Sequence, residues 1–231
     1  MKPKKLSLLL TILPMIIAAT GCHSRQESKA DITPHCINLQ ADSLYRQAIA
    51  LMESSYDVDS TRKCIRFLDK ALAIDSLNPD YYGMKAKLLS EMGELDSALY
   101  IQTLAMEKNA ITGEYLFQLG LLQAAKDMHA EAHESFGKSK VFLQAVLKQY
   151  PDSLGAFILA AANSLYENKD SLFMRNIDEI RKRFPERLLE IEMTRRVKPH
   201  SLVNQIRRIQ IEKDYNIDFD MDSLVEATVA K

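Results

Sequence analysis

His129 and His133 stand four residues apart in the run HAEAH. On an α-helix that spacing turns both imidazoles to one face, and two imidazoles on one face are half of a tetrahedral zinc site. The hydrolytic form of such a motif needs a glutamate directly after the first histidine, where it serves as general base. Here the glutamate is Glu131, two residues on, and no third ligand follows at a zinc-binding spacing. The pair therefore reads as a solvated helix face. Asp218, Asp220 and Asp222 alternate like the opening of a calcium loop. That loop needs a glycine at the place of Ser223 and a bidentate glutamate at the place of Val229, so this run reads as a charged tail. No glycine-rich phosphate loop, GxSxG elbow or Cys–His nucleophile signature occurs, and nothing calls for a cofactor.

Three cysteines remain to be placed: Cys22, Cys36 and Cys64. Cys22 closes a distinctive N-terminal segment. Lys2, Lys4 and Lys5 form a positive start, and Leu6 to Ala19 is an apolar run of about 14 residues, too short to span a bilayer comfortably. It ends in Ala19-Thr20-Gly21-Cys22. This resembles a bacterial lipoprotein cleavage site, with Ala19 where the pattern usually has Leu, Val or Ile. The resemblance implies removal of residues 1–21, a diacylglyceryl thioether on Cys22 and an acylated amino terminus. Several acyl chains give stable membrane attachment. His23, rather than Asp, follows the cysteine. By the common sorting rule this implies the outer membrane, facing the periplasm.

Apolar residues make up 47% and charged residues 26% of the 231, the balance of a folded globular chain. Net charge is −1, and cleavage removes three lysines and no acid, which leaves −4. Neither value provides the basic field that nucleic acid requires. With only seven Gly, seven Pro and no Trp, the composition favours helices. The expected fold class is all-α.

The elements that hold these residues repeat. Ala48, Tyr82 and Leu116 are each 34 residues apart, as are Met52, Ala86 and Gly120. So are Cys64, Ala98 and Ala132, and then Ala71, Ala105 and Ser139. A period of 34 with small and bulky columns marks stacked helical hairpins. Cys64 falls in a column of alanines, which fits a small buried thiol without a disulfide. Residues 22–41, which include Cys36, are polar and read as a flexible tether. Asp42 or Ser43 is expected to cap the first helix and Ser60 or Thr61 the second, while Asn78-Pro79 opens the next hairpin. Gly93 supplies a turn, and Pro151 ends a helix that runs through Val141, Phe142, Ala145 and Val146, a turn or more longer than its counterparts.

Residues 42–150 resemble three tetratricopeptide repeats. Leu116, Leu119, Gly120, Ala132 and Phe136 carry the resemblance most closely, and Tyr82, Ala86, Gly93, Ala98 and Ala105 carry it in the preceding unit. The resemblance implies a right-handed superhelical array whose first helices line a concave groove. In that geometry Arg46, Ile49, Met84, Lys87, Phe117, Gln118 and Leu121 face the groove and receive a protein or peptide segment. The positions of the family's carboxylate clamp are Ile49, Glu53, Met84, Glu114 and Gln118; none is basic, so a clamp of that kind is not implied. Residues 151–231 leave the 34-residue register. Ser153–Phe184 reads as a divergent fourth hairpin, Pro185–Arg196 and Ser201–Lys213 as further helices, and Leu224–Val229 as a short helix or a frayed end.

The leading expectation is a lipid-anchored periplasmic scaffold that binds a protein segment, for example in envelope-complex assembly. A ligand-binding or nutrient-uptake accessory is the alternative, and a metal enzyme built on His129 and His133 is the third reading.

Overall fold

The computed structural model describes residues 37–55, 57–195 and 198–215. Every element among them is helical: α1 (Leu39–Ser54), α2 (Val58–Ile74), α3 (Pro79–Glu91), α4 (Leu95–Glu107), α5 (Gly113–Ala125), α6 (His129–Gln149), α7 (Ser153–Tyr166), α8 (Asp170–Arg183), a 3-10 turn (Pro185–Arg187), α9 (Leu188–Thr194) and α10 (Pro199–Asp214). The chain is an all-α array of helical hairpins. Successive helices pair as α1–α2, α3–α4, α5–α6 and α7–α8, and each hairpin packs on the next. Cys22, Cys36, Asp218, Asp220, Asp222 and the segment 224–229 lie outside the described residues.

The 34-residue columns are packing columns. Ala48, Tyr82 and Leu116 are buried, and so are Ala86, Gly120, Cys64, Ala98, Ala132, Ala71, Ala105 and Ser139; only Met52 is half exposed. The reason for a small residue is explicit at Gly120. A Cβ there would lie 2.6 Å from the Phe136 ring, so the glycine lets α6 close on α5. The Cys64 thiol donates to the Ala48 carbonyl at 3.3 Å, and its burial pushes the thiol pKa up. It is free and fully buried.

Turn chemistry repeats with the array. Gly93, Asp127 and Asn168 sit inside the second, third and fourth hairpins with φ of 69°, 59° and 52°. Only glycine and short polar residues visit this left-handed region readily. Just beyond each, a backbone N–H bonds five residues back: Glu94 to Leu89 at 2.8 Å, Met128 to Gln123 at 2.9 Å and Lys169 to Ser164 at 2.9 Å. This is the Schellman closure, which satisfies carbonyls that the helix end leaves open.

Two helix starts differ from expectation. α1 begins at Leu39, inside the stretch read as a tether, and its cap is Asn38, whose Oδ1 accepts from Gln40 and Ala41. Ala41 is fully buried, so packing favours the earlier start, and Asp42 pairs with Arg46 at 2.7 Å in the first turn instead of capping it. α2 is capped by Asp57 rather than Ser60 or Thr61. Asp57 accepts from the Ser60 N–H at 2.8 Å and its hydroxyl at 2.7 Å, and also from the Ser55 hydroxyl. Elsewhere Asn78 caps α3 ahead of Pro79, and Thr112 caps α5.

The last two described helices leave the stack. α9 follows α8 closely, whereas α10 returns across the array and packs on α3, α5, α7 and α8. No described helix is long and apolar enough to cross a membrane.

Candidate functional site

α10 meets the array at the turns. His200, near its start, reaches Asn168 Oδ1 at 2.9 Å and Asp170 Oδ1 at 2.6 Å. Arg207, two turns later, donates to the carbonyls of Ala124 and Ala125 at 3.0 and 3.3 Å and to Asp127 Oδ1 at 2.6 Å. Gln210 accepts from the Leu95 N–H at 3.2 Å, and Lys213 lies 3.6 Å from Glu94. Seven residues of helix advance about 10 Å, close to the 8–10 Å between packed helices. The spacing of basic residues along α10 thus matches the spacing of hairpins beneath it. Leu202 and Ile206, one turn apart, are the aliphatic side chains it buries.

This arrangement decides the fate of the expected groove. Met84 and Phe117 are 9% and 7% exposed, Leu121 is 4% and Lys87 is 2%. Met84 and Ile49 pack in a core cluster with Cys64, Leu68 and Tyr81, between the first two hairpins. Phe117 sits against Phe136, ring centroids 5.9 Å apart, and Gln118 accepts from Gln102 Nε2 at 2.9 Å. Of the seven groove residues only Arg46 is fully exposed, and it is paired with Asp42. Most of the residues anticipated to line an open groove are taken up by packing within the array, and α10 lies on α3 and α5, two of the three helices that carry them. Lys87 is unusual there. No hydrogen-bond acceptor reaches its Nζ among the described residues, Glu91 Oε1 is 3.9 Å away, and burial pushes its pKa down.

An open apolar cleft lies elsewhere, along α6. It arises because α6 has 21 residues where α4 and α5 have 13, so about two turns project beyond them. One side of this extension, Leu143 and Leu147, packs inward against Gly113 and Gly155. The other presents Val141, Phe142, Ala145 and Val146. Met106 at the end of α4, Ile111 in the following turn and Leu116 of α5 complete the floor. The cleft encloses about 890 Å³. Val141 is 69% exposed within it.

The rim of the cleft is polar and ordered. His133 stacks on Tyr166 with centroids 4.1 Å apart, and Lys140 stands 4.0 Å over the same ring while lying 3.6 Å from Glu167. Glu134 and Lys138 pair at 2.6 Å. His133 thus spends its face on a tyrosine, and His129 is exposed on the preceding turn, 3.9 Å from Asp127. No group of three or more His, Cys, Asp or Glu among the described residues is placed to hold a metal. What this arrangement can do is bury an apolar surface against an aliphatic floor between charged edges.

The cleft residues were legible only in part. The continuation of α6 through Val141, Phe142, Ala145 and Val146 could be read from the sequence, but its overhang depends on where α4 and α5 stop. Compared with known proteins, the chain matches no family model, and no curated protein matches it significantly. The fold and site define its class: an all-α hairpin array with its last described helix packed back across it and an apolar cleft along an overlong helix.

Proposed function

We propose that this protein is a lipid-anchored scaffold of the tetratricopeptide type, held in the bacterial envelope through Cys22 and facing the periplasm, that binds a protein segment in the cleft along α6. The observation that carries the reading is the cleft itself. About 890 Å³ lined by Met106, Ile111, Val141, Phe142, Ala145 and Val146 accommodates the apolar face of a short helix or an extended peptide. The His133–Tyr166–Lys140 stack supplies one firm edge. The 34-residue columns, and the lipoprotein-like segment before Cys22, support the family and the anchor.

The test is site-specific photo-cross-linking in membranes that carry the full chain. A cross-linker at Gln149, exposed in the lining of the cleft, should give a discrete protein adduct, and one at Tyr100, which is 67% exposed outside the cleft, should not. Val141→Glu or Ala145→Glu should abolish the adduct with helicity unchanged, because both positions are exposed. An adduct that survives both substitutions overturns the cleft assignment. Cys22→Ala should release the chain from membranes, and its retention there overturns the anchor.

A further inference from the structure

The covered face of the array has features of its own that the cleft does not explain. α10 has 16 residues yet buries only Pro199, Leu202 and Ile206. Val203 packs partly buried against the same core, the remaining named attachments are polar, and some end on exposed side chains: Asp127 is 71% exposed and Lys213 is 45%. Exposed ion pairs of this kind add little to stability, and the contact resembles a reversible interface between domains more than a core. On α3, Lys87 and Glu91 share one face at i and i+4, and in the turn that follows Glu94 lies 3.6 Å from Lys213 of α10. The buried Lys87 ammonium of α3, one of the helices α10 packs on, has no hydrogen bond among the described residues, a cost that the packed array carries. The groups that α10 reads belong to the array: the Ala124 and Ala125 carbonyls, the Leu95 N–H, and the side chains of Asp127 and Asn168.

We propose that this inner face is a second recognition surface and that α10 is the resident copy of what it takes: an amphipathic helix from a partner protein, with two aliphatic residues four apart and basic side chains at intervals of about two turns. α10 displays the chemistry of the occupant directly. Leu202 and Ile206 supply the aliphatic pair, and His200, Arg207 and Lys213 supply the basic series. A partner helix with that pattern displaces α10 and caps the same hairpin ends. The surface is separate from the α6 cleft. The array groups that α10 bonds, Glu94, Leu95, Ala124, Ala125, Asp127, Asn168 and Asp170, are none of the residues that line the cleft.

The experiment uses the full chain and a fluorescein-labelled synthetic peptide of residues 199–214 as the probe. Two readouts are taken. In hydrogen exchange on the wild type, α10 amides should exchange through local opening and be less protected than those of α5. In anisotropy, the peptide should bind a full chain carrying Leu202→Asp and Arg207→Glu roughly ten-fold or more tighter than the wild type, because the resident helix no longer competes. A peptide bearing the same two changes should bind neither. Equal protection of α10 and α5 overturns the proposal, as does a peptide that fails to distinguish the two chains. If the double variant fails to fold, the wild-type exchange pattern decides alone. Val141→Glu should leave peptide binding unchanged; its loss there sends the peptide to the cleft and overturns the second surface without touching the cleft reading.

Discussion

Arg207 follows Asp127 by 80 residues, and its guanidinium lies 2.6 Å from the Asp127 carboxylate. Asp127 holds the left-handed turn after α5, with φ of 59°, and the same guanidinium bonds two of the last carbonyls of α5. A cation at a helix C-terminus meets both the open carbonyls and the negative end of the dipole. One side chain therefore caps a helix in the middle of the array and fixes the position of α10 along it.

Arg207→Ala should loosen α10 by about 1–2 kcal/mol, from the lost charge-assisted bonds to Ala124 and Ala125. The Asp127 pair adds little because that carboxylate is mostly exposed. Hydrogen exchange checks this: α10 amides should exchange roughly ten-fold faster, with α1 and α2 unchanged. Arg207→Lys keeps the charge but not the fork, and should fall between the two.

Gly120→Ala should destabilise the third hairpin. The new methyl would stand 2.6 and 2.7 Å from two atoms of the Phe136 ring, which Phe117 holds from another side. Overpacking of this kind costs about 1–3 kcal/mol, and the better helix propensity of alanine returns up to about 1 kcal/mol. A double-mutant cycle with Phe136→Leu, read from urea midpoints, should give a coupling above about 0.5 kcal/mol, since a smaller residue makes room for the methyl. Strict additivity would show that the glycine does not serve close packing.

Asp57→Ala should lower the thermal midpoint by removing the cap of α2, and Asp57→Asn should keep most of it. The effect depends on pH in a defined direction. The Ser55 hydroxyl, the Ser60 N–H and the Ser60 hydroxyl, in that order, hold the Asp57 carboxyl far below its ordinary 3.8. A depressed folded pKa gives stability that is complete above 3.8 and lost as the pH falls below it. The gap between wild type and Asp57→Ala should therefore narrow in acid, as followed by circular dichroism.

The columns were legible because close packing limits residue size at fixed points along a helix: Ala86, Ala98 and Gly120 have no room for more. Capping was legible where one candidate stood alone, as at Asn78-Pro79. It was misjudged at Asp42 and Ser60, where several competent residues crowd together and the choice falls to packing at Ala41 and to the hydrogen bonds that Asp57 collects. The covered inner face was not legible. The stripe of α10 announces a helix, but the chain position of Arg207 says nothing of a turn 80 residues earlier. The roughly seven-residue interval that seats α10 runs across the 34-residue period and adds no signal to it.

Lys87 gives a direct test of the electrostatic cost of packing the array. Its side chain is 2% exposed, has no hydrogen bond among the described residues and lies 3.9 Å from Glu91. Burial lowers its pKa from 10.5, and Glu91 opposes the shift. The sign for stability follows from proton counting. Between the lowered folded pKa and the unfolded value, the unfolded chain binds more protons, so stability rises with pH across that window. Lys87→Met removes the charge at nearly constant volume. At neutral pH the variant should match or exceed the wild type, because well-packed apolar atoms replace a poorly satisfied ammonium. As pH climbs toward 10.5 the wild type should gain on it, since the penalty it carries is titrated away. Tyr115, whose pKa is raised by burial, titrates in both chains and drops out of the comparison. The measurement is the difference in urea midpoint between the two proteins from pH 7 to pH 10. A variant that is less stable at pH 7 by an amount that does not change with pH would mean that Lys87 acts through its packing alone and that its burial carries no electrostatic cost.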